Sequence, residues 1–254
     1  MWGCARLTGA RILLRIEDHD RHRSRSAYDA AIREDLARLG FVADEGPVQQ
    51  TDSAALAAYD AALGRLTAGG LVYRCACTRS TFAAWAGEHG RGWSGPGCPG
   101  GCRGLALPGD AATSLRVALG AGTESFTDLL LGAQSGDVSA AGDLVARDRD
   151  GHWTYAFAVV VDDLRQGIDL VVRGEDLLRD TARQIRLGRL LGRSEPPRFL
   201  HHPLVRRASG AKLSKSDGDT GVRELLAAGW TRAMIGDEAG RRGAIPTSVA
   251  RAAG

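Results

Sequence analysis

The chain has 254 residues, long enough to bury a real core, and reads as one large domain or a domain with insertions. Charged residues make up 25% and AVILMFWYC residues 44%, the balance of a soluble globular protein, and a net charge of +3 is too small to diagnose nucleic-acid binding. No apolar run approaches the roughly 20 residues of a membrane span, which excludes a membrane partner.

The start, "MWGCARLTGARILLRIEDHD", has no charged leader followed by a long apolar stretch, so no signal peptide is expected and the location is cytoplasmic. Within it "RILLRI" is a short apolar run bounded by polar residues, the pattern of a buried parallel strand. "SAYDAAIREDLARLG" follows as a helix: Ser26 and Asp29 resemble a capping box, Tyr28, Ile32, Leu36 and Leu39 share a face, and Gly40 ends it. "SAALAAYDAALGRLTAGG" repeats the pattern with Leu56, Tyr59, Leu63 and Leu66 at helical spacing. "LVYRCAC" is then a strand entering a cysteine region.

Of the five cysteines, Cys4 stands alone and reads as an inert thiol. The other four form two close pairs, Cys75 with Cys77 and Cys98 with Cys102. In a reducing cytosol a disulfide framework is disfavoured, and paired thiolates suit one tetrahedral, structural zinc ion. The C-x-C spacing is tighter than the usual C-x₂₋₄-C, and His89 between the pairs can replace one sulfur. Residues from about Gly87 to Asp110 are too rich in glycine to order themselves without a staple, which gives the metal a physical reason.

Further on, "GDLVARDRDGHWTYAFAVVVDDL" reads as two strands around a "DRDG" turn, the second running into a very apolar stretch. "GIDLVVRGEDLL" is a buried strand ending in a polar burst of Arg173, Glu175 and Asp176, where open α/β sheets bind ligands. "DTARQIRLGRLLG" is a helix capped by Asp180 or Thr181, and "FLHHPLV" is the remaining strand. Arg183, Arg186, Arg189, Arg193, Arg198, Arg206 and Arg207 cluster here, a pattern that by itself describes a solvated face. The loop "AKLSKSDGD", Ala211 to Asp219, carries Lys212 and Lys215 and taken alone is ordinary basic surface. Glu17 with Asp18, Tyr155, Arg173 and the two lysines each have a plain structural reading. Together they complement one ligand set: a carboxylate for an ammonium, a guanidinium for a carboxylate, and lysines for polyphosphate. Such a site suits an acidic amino acid beside ATP.

The segments "LLRIEDHDRHRS", "LVYRCACTR", "CPGGCRG", "TYAFAVVVDDLRQGIDLVVRGEDLLRDTARQ" and "HHPLVRRASGAKLSKSDG" occur in one order across most of the chain. In them the chain resembles the class I glutamyl-tRNA synthetases, and most closely their short paralogues, the glutamyl-queuosine tRNA(Asp) synthetases. The resemblance implies an α/β fold: a Rossmann-like catalytic domain over residues 1–195, with a zinc-binding insertion at about 72–110. Residues 196–254 would carry a K-M-S-K-S-like loop and a short helical C-terminal region. It implies that Lys212 and Lys215 hold ATP, bound with Mg²⁺, and that Lys215 is the principal catalytic contact. Glu17 and Tyr155 would orient L-glutamate and Arg173 would recognise its carboxylate. The third zinc position, often a tyrosine in the family, is Cys98 here, which gives an all-sulfur site of Cys75, Cys77, Cys98 and Cys102.

The family's H-I-G-H-like signature has no match in "MWGCARLTGARILL". The resemblance therefore implies that about twenty-five amino-terminal residues, with half of the ATP cradle, lie outside this chain. The chain also ends about forty residues beyond the lysine loop, without length for an anticodon-binding domain. The short paralogue needs none, because it attaches glutamate to the queuosine base of tRNA(Asp); the 183–207 arginines would meet tRNA phosphates. A monomer is expected. The alternatives are a truncated discriminating synthetase charging tRNA(Glu), or a non-catalytic, zinc-stapled binding module of the same fold.

Overall fold

The computed structural model describes residues 1–18, 26–88, 98, 100–109, 112–204 and 221–243. Helix α1 (Trp2–Thr8) leads into strand β1 (Leu13–Ile16), and helix α2 (Ser26–Arg38) is followed by β2 (Glu45–Gln49). Gly40, at φ 65°, makes the left-handed turn after α2 that a side-chain-bearing residue resists. Helix α3 (Ser53–Ala68), β3 (Val72–Cys75), α4 (Arg79–Glu88), β4 (Ser114–Val117), the hairpin β5 (Thr123–Asp128) and β6 (Gly132–Asp137), and β7 (Leu144–Arg147) come next. Helix α5 (Tyr155–Arg165), β8 (Leu170–Gly174), α6 (Thr181–Leu190), β9 (Arg198–His202), α7 (Val222–Ala227) and α8 (Arg232–Gly243) complete the order.

The described strands form three sheets. β1 and β2 are parallel; β3, β4 and β7 are antiparallel; and β6, β5, β9 and β8 lie in that order, with β9 parallel to both β5 and β8. The main core packs Tyr59, Ala62 and Leu66 of α3 and Val117 of β4 against Leu144 and Ala146 of β7, the inner face of α5 and Leu187 of α6. Burying one such side chain as completely as Phe157 stabilises the fold by about 1.5–3 kcal/mol. A smaller cluster of Phe126, Ile185 and Phe199 seats α6 on the four-stranded sheet. Helix and sheet meet closely there: a Cβ at Gly136 would lie 2.9 Å from Cβ of Ala182. No described helix is long and apolar enough to cross a membrane.

Helix α3 carries the predicted stripe, with Tyr59 and Leu66 buried and Leu56 and Leu63 half-buried. The stripe on α2 holds only at its end: Leu39 is buried, whereas Tyr28 and Ile32 are exposed. The expected second strand around the "DRDG" turn shrinks to a single bridge between Arg147 and Trp153, and the apolar run after it is helix α5. Val159, Val160 and Val161 favour strands, but here the helix is enclosed on most sides, and burial outweighs the propensity. Strands β4, β5 and β6 had no counterpart in the sequence reading. In β5 the inward positions of the alternation are Glu124, Phe126 and Asp128, so two buried carboxylates disguised the period-2 signal.

Candidate functional site

A cavity of about 660 Å³ opens between β1 and β8, each the edge strand of its sheet, with α1 and one face of α5 as further walls. Glu17, Tyr155 and Arg173, far apart in the chain, all line it. Glu17 stands just past the carboxyl end of β1, Arg173 is near that of β8, and Tyr155 is the first residue of α5. Asp18, its neighbour, turns away: its carboxylate accepts from the Thr51 amide at 3.0 Å and from the Thr51 hydroxyl, and so ties the end of β1 to the start of α3.

Arg173 is buried, at 8% exposure, and is held on several sides. Its Nε donates to His201 Nε2 at 3.1 Å, Nη1 to Gln184 Oε1 at 2.5 Å and Nη2 to the Thr181 hydroxyl at 2.7 Å. It does not turn to Glu175, whose carboxylate accepts instead from the Leu204 amide. Burial lowers the pKa of Arg173 below the usual guanidinium value, while the Tyr155 hydroxyl that it also bonds and the charge of Asp163 act the other way. Tyr155 is pushed up, first by burial and then by the charge of Glu17. On the opposite wall Arg15 is clamped by Asp163 at 2.8 Å and Gln166 at 2.7 Å, which fixes β1 to α5. Asp162 beside it accepts from Gln50 and Tyr59, all three fully buried, and from the more exposed Arg165. The cavity thus offers an anionic rim, a phenol and a desolvated guanidinium, a set that can receive both ends of a small zwitterion carrying an extra carboxylate.

The second constellation is the cysteine knuckle. The sulfurs of Cys75, Cys77, Cys98 and Cys102 all lie within 4.8 Å of one another. Cys77 Sγ is 3.7 Å from Cys98 Sγ and 3.4 Å from Cys102 Sγ. A tetrahedron of sulfurs at about 2.3 Å from a zinc centre has edges of about 3.8 Å, so the four side chains fit one metal ion. His89, the alternative fourth donor, lies outside the described residues, and four sulfurs suffice without it. Burial would raise the Cys98 thiol, but the backbone amides of Cys102 and Gly100, with the Cys77 and Tyr73 side chains, hold its pKa low, whereas burial raises the Cys77 and Cys102 thiols. Buried Asp143 braces the knuckle: it accepts from Tyr73 at 2.6 Å, from Arg103 at 2.6 and 2.7 Å, and from the Leu119 amide at 3.1 Å. Arg149 reaches across from the turn after β7 to the Ala76 and Cys77 carbonyls.

Part of the arginine-rich segment is engaged within the chain. Arg183 pairs with Asp180, Arg186 and Arg189 share Glu124, and Arg193 binds the Ile168 and Glu195 carbonyls. Arg183 and the Glu124 carboxylate are buried, whereas Arg189 keeps an exposed side chain. Arg206 and Arg207, like Lys212 and Lys215, lie outside the described residues. The residues the sequence reading missed are the supports of Arg173, namely Asp128, Thr181, Gln184 and His201, together with Arg15 and Asp163. "HH" in "FLHHPLV" and the carboxylate ending "TESFTD" were the available signals, but 73 positions separate His201 from Asp128.

Residues 1–251 match the family described as tRNA synthetases class I (E and Q), catalytic domain. The chain belongs to this family. A protein of Nitratidesulfovibrio vulgaris named glutamyl-Q tRNA(Asp) synthetase is 38% identical over 99% of this chain and 82% of its own length. Proteins of the same name from Burkholderia mallei and Leptothrix cholodnii are 45% and 44% identical, over 85% and 91% of this chain and 73% and 80% of theirs. Among solved structures, a glutamate tRNA ligase of Elizabethkingia meningosepticum in complex with its amino acid superposes with a TM-score of 0.67 at 26% identity. It is matched over 85% of this chain and 47% of its own, so the chain spans about half the length of that synthetase. The chain is therefore a ligase of the aminoacyl-tRNA synthetase type, with the α/β catalytic domain of class I and a cysteine cluster able to hold one metal ion.

Proposed function

We propose that this chain activates L-glutamate with ATP and transfers it to the queuosine base in the anticodon of tRNA(Asp). The observation that carries the reading is the convergence of Glu17, Tyr155 and Arg173 on one cavity. Glu17 and Tyr155 receive the ammonium end of glutamate, and Arg173 pairs with its side-chain carboxylate. The remaining carboxylate attacks the α-phosphorus of ATP, the bond to the β-phosphate oxygen breaks, and pyrophosphate departs; Mg²⁺ bound with the ATP would offset the charge of the leaving group. Lys212 and Lys215 of "KLSKS" offset the charge that spreads over the phosphate oxygens, more in the transition state than in the ground state. The modified base then displaces AMP from the acyl carbon. Cys75, Cys77, Cys98 and Cys102 would hold one zinc ion, which would order the cysteine-bearing insertion. The acceptor is supported by the name shared by the similar proteins of 38–46% identity.

The test has two stages. Glutamate-dependent ATP–pyrophosphate exchange without tRNA is measured on the 254-residue chain and on the same chain with an H-I-G-H-like segment joined to its start. Labelled glutamate is then offered with tRNA(Asp), with and without queuosine, and with tRNA(Glu). Label on queuosine-containing tRNA(Asp) alone is the expected result. Label on tRNA(Glu) would establish the discriminating synthetase instead, and an absence of exchange in both chains would leave a binding module.

A further inference from the structure

Behind Arg173, away from the cavity, lies a chain of buried groups that the recognition chemistry does not itself use. His201 is 1% exposed, and its Nδ1 is 2.6 Å from Oδ2 of Asp128, also 1% exposed. Its Nε2 faces the Nε–H of Arg173 at 3.1 Å and the Thr181 hydroxyl at 3.2 Å. A guanidinium nitrogen can only donate, so Nε2 must accept, and the single imidazole proton must sit on Nδ1, pointing at Asp128. Asp128 is in turn fixed by the amides of Leu130, Leu131 and His201, at 2.9, 2.8 and 3.0 Å.

We propose that Asp128 and His201 are positioning residues for glutamate recognition: together they hold the Arg173 guanidinium in register with the cavity, and they do so only while His201 is the neutral Nδ1–H tautomer. This rests on the reading of Arg173 as the contact for the glutamate carboxylate. The relay is directional. Asp128 selects the tautomer, the tautomer presents a lone pair, and the lone pair fixes the rotation of the guanidinium about its long side chain. A second proton on His201 would set N–H against N–H at the Arg173 contact and put a second cation beside it. The titratable and charged groups that face His201 are Asp128 from β5, Arg173 from β8 and His202 on its own strand, while α6 offers the neutral hydroxyl of Thr181. Burial holds the imidazole below its usual pKa, in keeping with a neutral ring at physiological pH.

Imidazole ¹⁵N shifts, assigned with His201→Gln as the blank, read the tautomer directly at about pH 7.5, where an ordinary histidine is neutral. The expected species is neutral with the proton on Nδ1; an Nε2–H ring or an imidazolium overturns the proposal. Glutamate binding by calorimetry gives the functional arm. Asp128→Asn presents an amide N–H to Nδ1 and forces the wrong tautomer, so affinity should fall about tenfold, the scale of one hydrogen bond to a charged group. His201→Gln keeps an acceptor for Arg173 and cannot titrate. Whatever its affinity at about pH 7.5, it should lack the further weakening that the parent shows as pH falls through the His201 pKa. In that background Asp128→Asn should cost little more, because glutamine has no tautomer to misplace. Parental binding by Asp128→Asn while Arg173→Lys is impaired overturns the relay alone; parental binding by Arg173→Lys overturns the relay and the pocket reading together.

Discussion

The cysteine knuckle and the cavity beside Arg173 are each organised around one buried aspartate, and the partners of the two aspartates differ in kind. Asp143 receives a bidentate guanidinium from Arg103, a phenol from Tyr73 and one amide. Asp128 receives three amides and an imidazole, all neutral donors. The knuckle aspartate therefore closes an ion pair, whereas the cavity aspartate passes on geometry and leaves the cation of Arg173 uncancelled for a ligand. In the first region charge is neutralised inside the fold; in the second it is kept available. Four changes sharpen or break this contrast.

The largest effect belongs to the metal. Structural zinc contributes about 10–16 kcal/mol of apparent binding energy in small cysteine-rich domains, much of it folding energy. Cys98→Ala should abolish metal retention and open the knuckle to limited proteolysis, with a smaller change in the α/β core. Chelator treatment of the parent should reproduce the proteolysis pattern. Freshly purified, unchelated protein with no zinc in a metal analysis would break the assignment.

Asp143→Ala should come next. It leaves Tyr73, the Leu119 amide and part of Arg103 without an acceptor, and removal of one buried partner costs about 3–5 kcal/mol. Because side-chain Arg103 is 45% exposed, its own loss is screened, and Arg103→Ala should cost below about 1 kcal/mol. Urea denaturation of the two variants measures the asymmetry, and zinc affinity should fall with the first by about 10–100-fold, as for other groups that brace a ligand. Equal costs would mean that Asp143 acts through Arg103 alone and is not a hub.

On the cavity side, Arg173→Lys keeps a charge and loses the fork that engages His201, Gln184 and Thr181 at once. Glutamate activation should drop about tenfold or more, and the parent should reject glutamine by about 2–5 kcal/mol, since a neutral amide leaves the buried guanidinium poorly paired. Exchange assays with the two amino acids measure both quantities. Unchanged glutamate activation would remove Arg173 from the recognition role.

The two regions were also unequally legible. The knuckle announces itself because the four ligands sit in two short windows, and Arg103 and Tyr73 flank them in sequence, so a local pattern carries most of the site. Arg173 could be found at the end of a recognisable apolar strand, and Tyr155 at the start of an apolar run whose helical form the sequence did not reveal. Their supports could not, because Asp128 and His201 meet only through the parallel pairing of β5 with β9. The same limit explains the arginines: spacing on α6 is visible in sequence, but the Glu124 that both Arg186 and Arg189 bond comes from 62 and 65 positions away. Local chemistry is readable along the chain, while the acceptor of a buried cation depends on which strands become neighbours.

The smallest predicted effect is a pH dependence of stability. His201 is held neutral by burial, so its folded pKa lies below the ordinary value near 6.5. Above that value neither folded nor unfolded chain carries the proton, and the contribution to stability is complete. As pH falls, the unfolded chain binds the proton first, which favours unfolding, and the loss continues until the folded ring also protonates. The direction is opposite to that of a histidine stabilised by its carboxylate as a cation, for which acid would strengthen the fold down to the carboxylate range. Thermal melts of the parent and of His201→Gln between about pH 7.5 and pH 5 isolate the term, since glutamine removes the titration and leaves the carboxylates in place. The parent should lose more thermal stability over that interval than the variant. A parent that loses less would mean that the imidazole is a buried cation paired with Asp128, and the cavity aspartate would then neutralise charge just as Asp143 does.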